Sequence, residues 1–299
     1  MRAFFTVIIP TYNRIDVLSR SINSVLDQTY QDFELIIVDN GSTDNTKEWL
    51  GNNYQDDRIV YHYQEGSGSP ASPRNTGMSL AGGKWVCLLD SDDKWNEDKL
   101  QHVFNVIQEN SSVDVVCHNE NIYDELTGSV GKLLKYGPVS DDMYKDMLML
   151  GNRLSTSATS IRVSFLRSNN LKFNESDDFA IVEDYDLWLN LARCNARFVF
   201  LSESLGLYAV GEGNMISDSN LLCKNLKNLL RVHAFDVQKF EKNRGKLWKF
   251  LDLRSDLCKI QHAKNSLLKR VFSVFKLWTM HPVNLTKIIF GYAKRKIVN

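Results

Sequence analysis

Short aliphatic and β-branched runs, each closed by a polar or turn-forming residue, punctuate the first part of the chain: Phe4–Ile9, Phe33–Val38, Ile59–Tyr63, Val86–Leu89 and Val113–His118. Such runs read as strands buried on both faces of a sheet. Between the first two, Val17, Leu18, Ile22, Val25 and Leu26 recur at helical spacing. Strand, helix and strand in so short a length require a parallel pair with a right-handed crossover, and ligands of such sheets bind beyond the C-terminal strand ends. Further on, Gly128–Pro138 reads as a loop or hairpin, Met143–Leu150 as a short amphipathic helix whose methionines fill core, and Leu154–Arg162 as a strand. Leu187, Trp188, Leu189 and Leu191 predict a mostly buried helix. From Met215 onward Leu221, Leu222, Leu226, Leu229, Leu230 and Val232 recur near period 3.6, followed by Phe235, Phe240, Leu247, Trp248, Phe250 and Leu251. The fold class is therefore α/β, a mostly parallel sheet flanked by helices, with a C-terminal helical extension.

Composition narrows this picture. The 299 residues are 43% hydrophobic, ordinary for a soluble core, and no run of about 18 apolar residues predicts a membrane span. Phe4–Ile9 is too short and too β-branched for a signal peptide. Cys87, Cys117, Cys194, Cys223 and Cys258 are odd in number and form no C-x-x-C pair, which predicts reduced thiols in a cytoplasmic protein. Net charge is zero but unevenly spread: residues 1–214 hold 18 Lys and Arg against 31 Asp and Glu, and residues 215–299 hold 18 against 5. A basic tail with Phe and Trp on its apolar side suits the inner face of the plasma membrane, each basic residue adding about 1 kcal/mol near an anionic surface. Packing of these helices on the acidic part is the simpler alternative. Nucleic acid is disfavoured, because the acidic part has no basic stripe.

The candidate chemistry centres on W-V-C-L-L-D-S-D-D-K-W, Trp85 to Trp95. Asp90, Asp92 and Asp93 gathered at a strand end repel one another unless a cation or basic groups neutralise them, and oxygen-rich sites suit Mg2+ or Mn2+. A solvated Asp-rich turn is the plain alternative. At the second strand end, D-N-G-S-T-D (Asp39–Asp44) offers a tight turn at Gly41 and a cap from Ser42 or Asp44. Arg74 and Asn75 stand at a helix entry where donors face an anion. Glu183, Asp184 and Asp186 fall in the first turn of a helix, where carboxylates also serve simply to oppose the helix dipole. Neither G-x-G-x-x-G nor a Walker loop occurs, so an ordinary dinucleotide or Walker-type site is not expected.

V-I-I-P-T-Y-N-R, V-D-N-G-S-T-D, S-P-R-N-T-G and L-L-D-S-D-D, in this order, with the later E-D-Y-D-L-W-L, resemble the family 2 glycosyltransferases with a GT-A fold over about residues 4–215. The resemblance implies a domain 1–214, with 1–112 as the nucleotide-sugar half and 113–214 as the acceptor half, and 215–299 as an appended extension. It implies that Pro10, Thr11, Tyr12, Asn13, Asp39, Ser42, Arg74, Asn75, Asp90, Ser91 and Asp92 hold a nucleoside diphosphate sugar, with a UDP-sugar as the expected donor. Asp92 or Asp93 would ligate Mn2+ or Mg2+. Asp184 would be the catalytic base, with Glu183 beside it as neighbour or alternative. The implied reaction is inverting transfer of the sugar to the hydroxyl of a glycan or lipid-linked acceptor, in surface-polysaccharide assembly. One departure stands out: many relatives carry Y-R-x-H after the next strand, where this chain reads Y-A-V-G-E-G-N (Tyr208–Asn214), so that Gly211 replaces the metal-shell His. A nucleotide-sugar binding module without turnover and a nucleotidyltransferase are the competing readings; the latter would need a basic Gly-rich loop, which T-Y-N-R is not.

Overall fold

The computed structural model describes residues 3–211, 218–262, 267–281, 283–286 and 288. It divides into two compact units that interleave along the chain, where a linear reading draws one boundary near 214.

The first unit comprises Met1–Val139, Leu154–Phe173 and Leu191–Glu212. Its elements begin β1 (Phe5–Thr11), α1 (Ile15–Leu26), β2 (Phe33–Asn40), α2 (Thr46–Asn53), β3 (Ile59–Gln64), α3 (Ala71–Leu80) and β4 (Trp85–Leu88). They continue with β5 (Lys94–Trp95), α4 (Lys99–Glu109), β6 (Val115–Asp124) and β7 (Ser129–Leu134). After α5 (Met143–Leu150), which belongs to the second unit, come β8 (Thr159–Arg162), α6 (Val163–Ser168) and, following α7 (Glu183–Arg193), β9 (Phe198–Val210). The strands form one mixed sheet in the order β3-β2-β1-β4-β8-β6-β9-β5, with β7 paired to β6 as a hairpin, one of the two readings of Gly128–Pro138. The β3-β2-β1-β4 part is parallel, as the strand-helix-strand pattern requires.

Its core follows from strand alternation and helix period. Phe5, Val7 and Ile9 of β1 and Phe33, Leu35 and Ile37 of β2 share one cluster with Leu18, Ile22 and Val25, spaced by four and three along α1. Each such fully buried side chain contributes about 1.5–3 kcal/mol. The strand expected over Leu154–Arg162 is confined to Thr159–Arg162. The reason is local: the Thr159 amide donates to Thr156 O and its hydroxyl to Ser155 O, so this Ser/Thr-rich stretch makes a turn in place of a ladder.

The second unit comprises Ser140–Arg153, Asn174–Asn190 and Gly213–Asn299. It contains α5, a 3-10 turn Asp177–Phe179, the start of α7, α8 (Ser219–Val232), a π turn His233–Val237, α9 (Arg244–His262) and α10 (Leu267–Met280). Asp142 caps α5 by accepting Lys145 N–H, and Asp218 caps α8 by accepting Asn220 and Leu221 N–H. Met143, Met147, Leu187, Leu229, Leu230 and Leu251 are buried, as their spacing predicts, and Met149 is half-buried, while Phe275, Trp278, Met280 and Val283 are exposed. Among the described residues, no helix is long and apolar enough to cross a membrane.

Candidate active site

Parallel pairing places Thr11 directly beside Asp39, so the ends of β1 and β2 present both residues at one edge of the sheet. The loops beyond them are laced together. Asn13, at φ 49, accepts Thr43 N–H at 2.7 Å and donates its own N–H to Ser42 Oγ at 2.9 Å; Ile15 N–H donates to Asp44 at 3.1 Å. Gly41 is required twice over: its φ is +88°, and a Cβ there would lie 2.6 Å from the Gly66 nitrogen. Asp39 is buried and fixed, accepting Ser42 N–H at 2.8 Å and the Tyr61 hydroxyl at 2.7 Å. Burial, reinforced by this bond, raises the Tyr61 hydroxyl pKa, so Tyr61 remains a donor to Asp39 at neutral pH. A cleft of about 620 Å³ opens here, lined by Asp39, Ser42, Thr43, Tyr61, Tyr63 and residues of α2. Tyr12 stands exposed.

Arg74 is buried in the first turn of α3, pairs with Asp90 at 2.6 Å and lies over the Phe173 ring at 5.3 Å. Asn75 is committed to backbone, exchanging two 2.9 Å hydrogen bonds with Phe173.

The three acids of D-S-D-D have separate fates. Asp90 and Asp92 are half-buried. Burial first, and the Asp90 charge second, raise the pKa of Asp92; a bound cation would relieve that cost. Asp93 is buried, accepting the Ser157 hydroxyl at 2.5 Å and the Ala209 N–H at 2.8 Å, and burial pushes its pKa well up. The turn itself is pinned from α1: Ser21 donates to Ser91 O at 2.9 Å, while Arg20 donates to Asp92 O and pairs with Glu125 at 2.6 Å. At Gly211 a Cβ would overlap the Glu125 carboxylate. Among the described residues, no three His, Cys, Asp or Glu are gathered to hold a metal. Glu212, named beside Gly211 in the altered motif, lies outside the described residues.

In the second unit, the first turn of α7 sorts its acids by exposure. Glu183 and Asp186 are buried, and Asp184 is half-buried, the most exposed of the three. Sequence reasoning missed Tyr61, Ser157 and Arg20, each of which holds an acid or its backbone in place. Ser157 lies in a stretch read only as a strand, and Arg20 is one polar residue on an amphipathic helix.

Comparison with known proteins adds the following. The model of Glycosyl transferase family 2 matches residues 6–167, just over half of the chain. The putative teichuronic acid biosynthesis glycosyltransferase TuaG of Bacillus subtilis is 42% identical over 108 residues, covering 36% of this chain and 42% of that one. The chain spans less than half the length of the first curated relatives it matches. Among solved structures, S. aureus TarS 1–349 in complex with UDP-GlcNAc is similar with a TM-score of 0.64 and 20% identity, covering 95% of this chain and 83% of that chain. The mannosyltransferase PcManGT from Pyrobaculum calidifontis, in complex with GDP-Man and Mn2+, is similar with a TM-score of 0.58 and 14% identity, covering 98% of this chain and 85% of that chain. These likenesses establish a shared mixed α/β architecture.

Proposed function

The chain belongs to glycosyl transferase family 2, and from that premise we propose that it is an inverting glycosyltransferase that moves a sugar from a nucleoside diphosphate donor, a UDP-sugar, to an acceptor hydroxyl in surface-polysaccharide assembly. The observation that carries the proposal is the gathering of Thr11, Asp39, Arg74, Asp90 and Asp92 at the C-terminal ends of β1, β2 and β4, from four separate motifs. Asp39 and the adjoining cleft suit a base and ribose. Arg74, with its guanidinium held by Asp90, suits a diphosphate. The UDP-GlcNAc complex of TarS supports the donor, and the similarity to the putative teichuronic acid biosynthesis glycosyltransferase TuaG supports the pathway class.

The donor set fits a hard divalent ion. Asp90 and Asp92 supply carboxylate oxygens, that of Asp92 disfavoured in its charged form by burial first and the Asp90 charge second, and Mg2+ or Mn2+ is commonly held by one or two carboxylates plus phosphate oxygens and water. Asp93, buried with each oxygen accepting a hydrogen bond inside the protein, supports that group from behind. When bound, the ion would stabilise charge on the departing diphosphate as a Lewis acid. Asp184, half-buried at the start of α7, is the base that takes the proton of the acceptor hydroxyl, with general-base help usually worth about 10²–10⁴-fold. The acceptor is a glycan or lipid-linked glycan. Exposed Phe275, Trp278 and Met280, on a tail rich in Lys and Arg, support peripheral contact with an anionic membrane surface.

The deciding experiment is release of UDP from a panel of UDP-sugars with Mn2+ or Mg2+, on wild type and Asp184→Asn. Metal-dependent release that falls at least 100-fold in the variant supports the proposal. No release with any donor, together with tight UDP binding, supports a binding module instead. For the membrane contact, failure to sediment with phosphatidylserine vesicles at low salt removes that part.

A further inference from the structure

The segment that carries Glu183 and Asp184 belongs to the same compact unit as the helical extension. Side chains of that extension hold it. Asn225 of α8, fully buried, donates to Asp177 O at 2.8 Å and to Ala180 O at 3.0 Å. Arg254 of α9 donates to the Tyr185 hydroxyl at 3.1 Å, which itself donates to Met147 O at 2.6 Å.

The most specific of these links runs through His233, the first residue of the π turn after α8. His233 is 1% exposed; its Nε2 lies 3.0 Å from Asp186 Oδ1, and its Nδ1 lies 3.0 Å from the Tyr144 hydroxyl. With Asp186 ionised, Nε2 carries the proton and donates to the carboxylate, which leaves Nδ1 to accept the hydroxyl proton of Tyr144. Asp186 also accepts Asn190 Nδ2 at 3.2 Å, so both of its oxygens are held. Positions two apart on a helix differ by about 200° around its axis. Fixing Asp186 inward therefore fixes the direction in which Asp184 projects.

A buried polar chain of this kind gives little stability that apolar side chains of the same volume would not give, whereas it does restrict orientation. π turns are also frequent at functional sites.

We propose that His233 is a positioning residue for the catalytic base: through Asp186 it sets the first turn of α7, so that the helical extension, which lies beyond the matched residues 6–167, fixes the geometry in which Asp184 meets the acceptor. The proposal rests on the reading of Asp184 as the base.

The test uses the full chain with His233→Ala, His233→Gln and, separately, Asp184→Asn. A misplacement near 1 Å can cost about 10²-fold, so His233→Ala is expected to lower kcat about 10- to 100-fold, with UDP affinity by calorimetry within about twofold of wild type. Gln offers an amide N–H toward Asp186 and is expected to restore most of kcat. Independently of turnover, hydrogen exchange of the 183–185 amides should quicken in His233→Ala while that of Phe5–Thr11 does not. Unchanged kcat and unchanged exchange at 183–185 in His233→Ala overturn the proposal, and so does a loss in His233→Gln equal to that in His233→Ala. An Asp184→Asn protein with wild-type kcat overturns the base assignment instead, whatever the His233 variants do.

Discussion

The Ser157 hydroxyl lies 2.5 Å from the Asp93 carboxylate and also accepts the backbone N–H of Asp90 at 3.0 Å. One side chain from the turn before β8 thus ties together the first and last acids of D-S-D-D. Removing it leaves a buried carboxylate short of a partner, which costs about 1–3 kcal/mol. Ser157→Ala is expected to lower the urea midpoint accordingly and to weaken UDP binding with Mn2+. A midpoint equal to wild type would show that Asp93 finds another donor.

Asp92 and Asp93 should respond oppositely to the same change. In Asp92→Asn the gain in UDP affinity brought by Mn2+ is expected to disappear with little effect on melting temperature, because the side chain is half-buried and its backbone remains held by Arg20. Asp93→Asn turns an amide toward groups that now donate to it, Ser157 and Ala209 N–H, and is expected to melt lower while keeping the Mn2+ response. Calorimetry with and without metal separates the two; a normally folded Asp93→Asn that ignores Mn2+ would make Asp93 a ligand.

At Gly211 any side chain collides with Glu125, whose partner is Arg20. Gly211→Ala is expected to destabilise by no more than about 1 kcal/mol, because the Glu125 carboxylate must move and its partly exposed ion pair with Arg20 is worth about that much. Glu125→Ala in the same chain should recover part of that loss, since it removes the collision. Denaturation of the two single variants and the double variant measures the coupling; strict additivity would mean that Glu125 simply swings aside.

His118 gives a pH signature. It is fully buried, and burial, followed by the nearby Lys99 charge, pulls its pKa down to about 3. Below the ordinary value near 6.5 the unfolded chain takes a proton that the folded chain refuses, so this contribution is whole above that pH and is lost as pH falls from 6.5 toward 3. The slope is at most about 1.4 kcal/mol per pH unit. Between pH 7 and pH 5, wild type is expected to lose more stability than His118→Gln, compared by urea unfolding. Parallel pH profiles would show that His118 protonates in place.

What could be seen in the sequence, and what could not, divides along physical lines. Phe33, Leu35 and Ile37 announce β2, and Leu18, Ile22 and Val25 announce the buried face of α1, because periodicity depends only on near neighbours. Thr159 shows where that fails: hydroxyl-to-backbone bonds inside 155–159 shortened a strand that composition favoured. Asp90, Asp92 and Asp93 look alike in sequence, yet their environments differ because Ser157, Arg20 and Ala209 lie 64, 72 and 116 positions from the acids they hold. Nothing near His233 in the sequence marks it, since Asp186 and Tyr144 are 47 and 89 residues away.

The pairing of Thr11 with Asp39 is the last rung of a ladder that begins at Phe5 and Phe33. Since side chains alternate, the two polar residues share a face with Phe5, Val7, Ile9, Phe33, Leu35 and Ile37. Slipping one strand by a single residue would turn Asp39 away and, in the same movement, carry Phe33, Leu35 and Ile37 out of their cluster to the opposite face, already filled by Ile36 and Val38. The proposed donor contact and the folding of the sheet are in this way written in one alignment of two strands, which leaves the surrounding loops as the place where specificity can change without unfolding the protein.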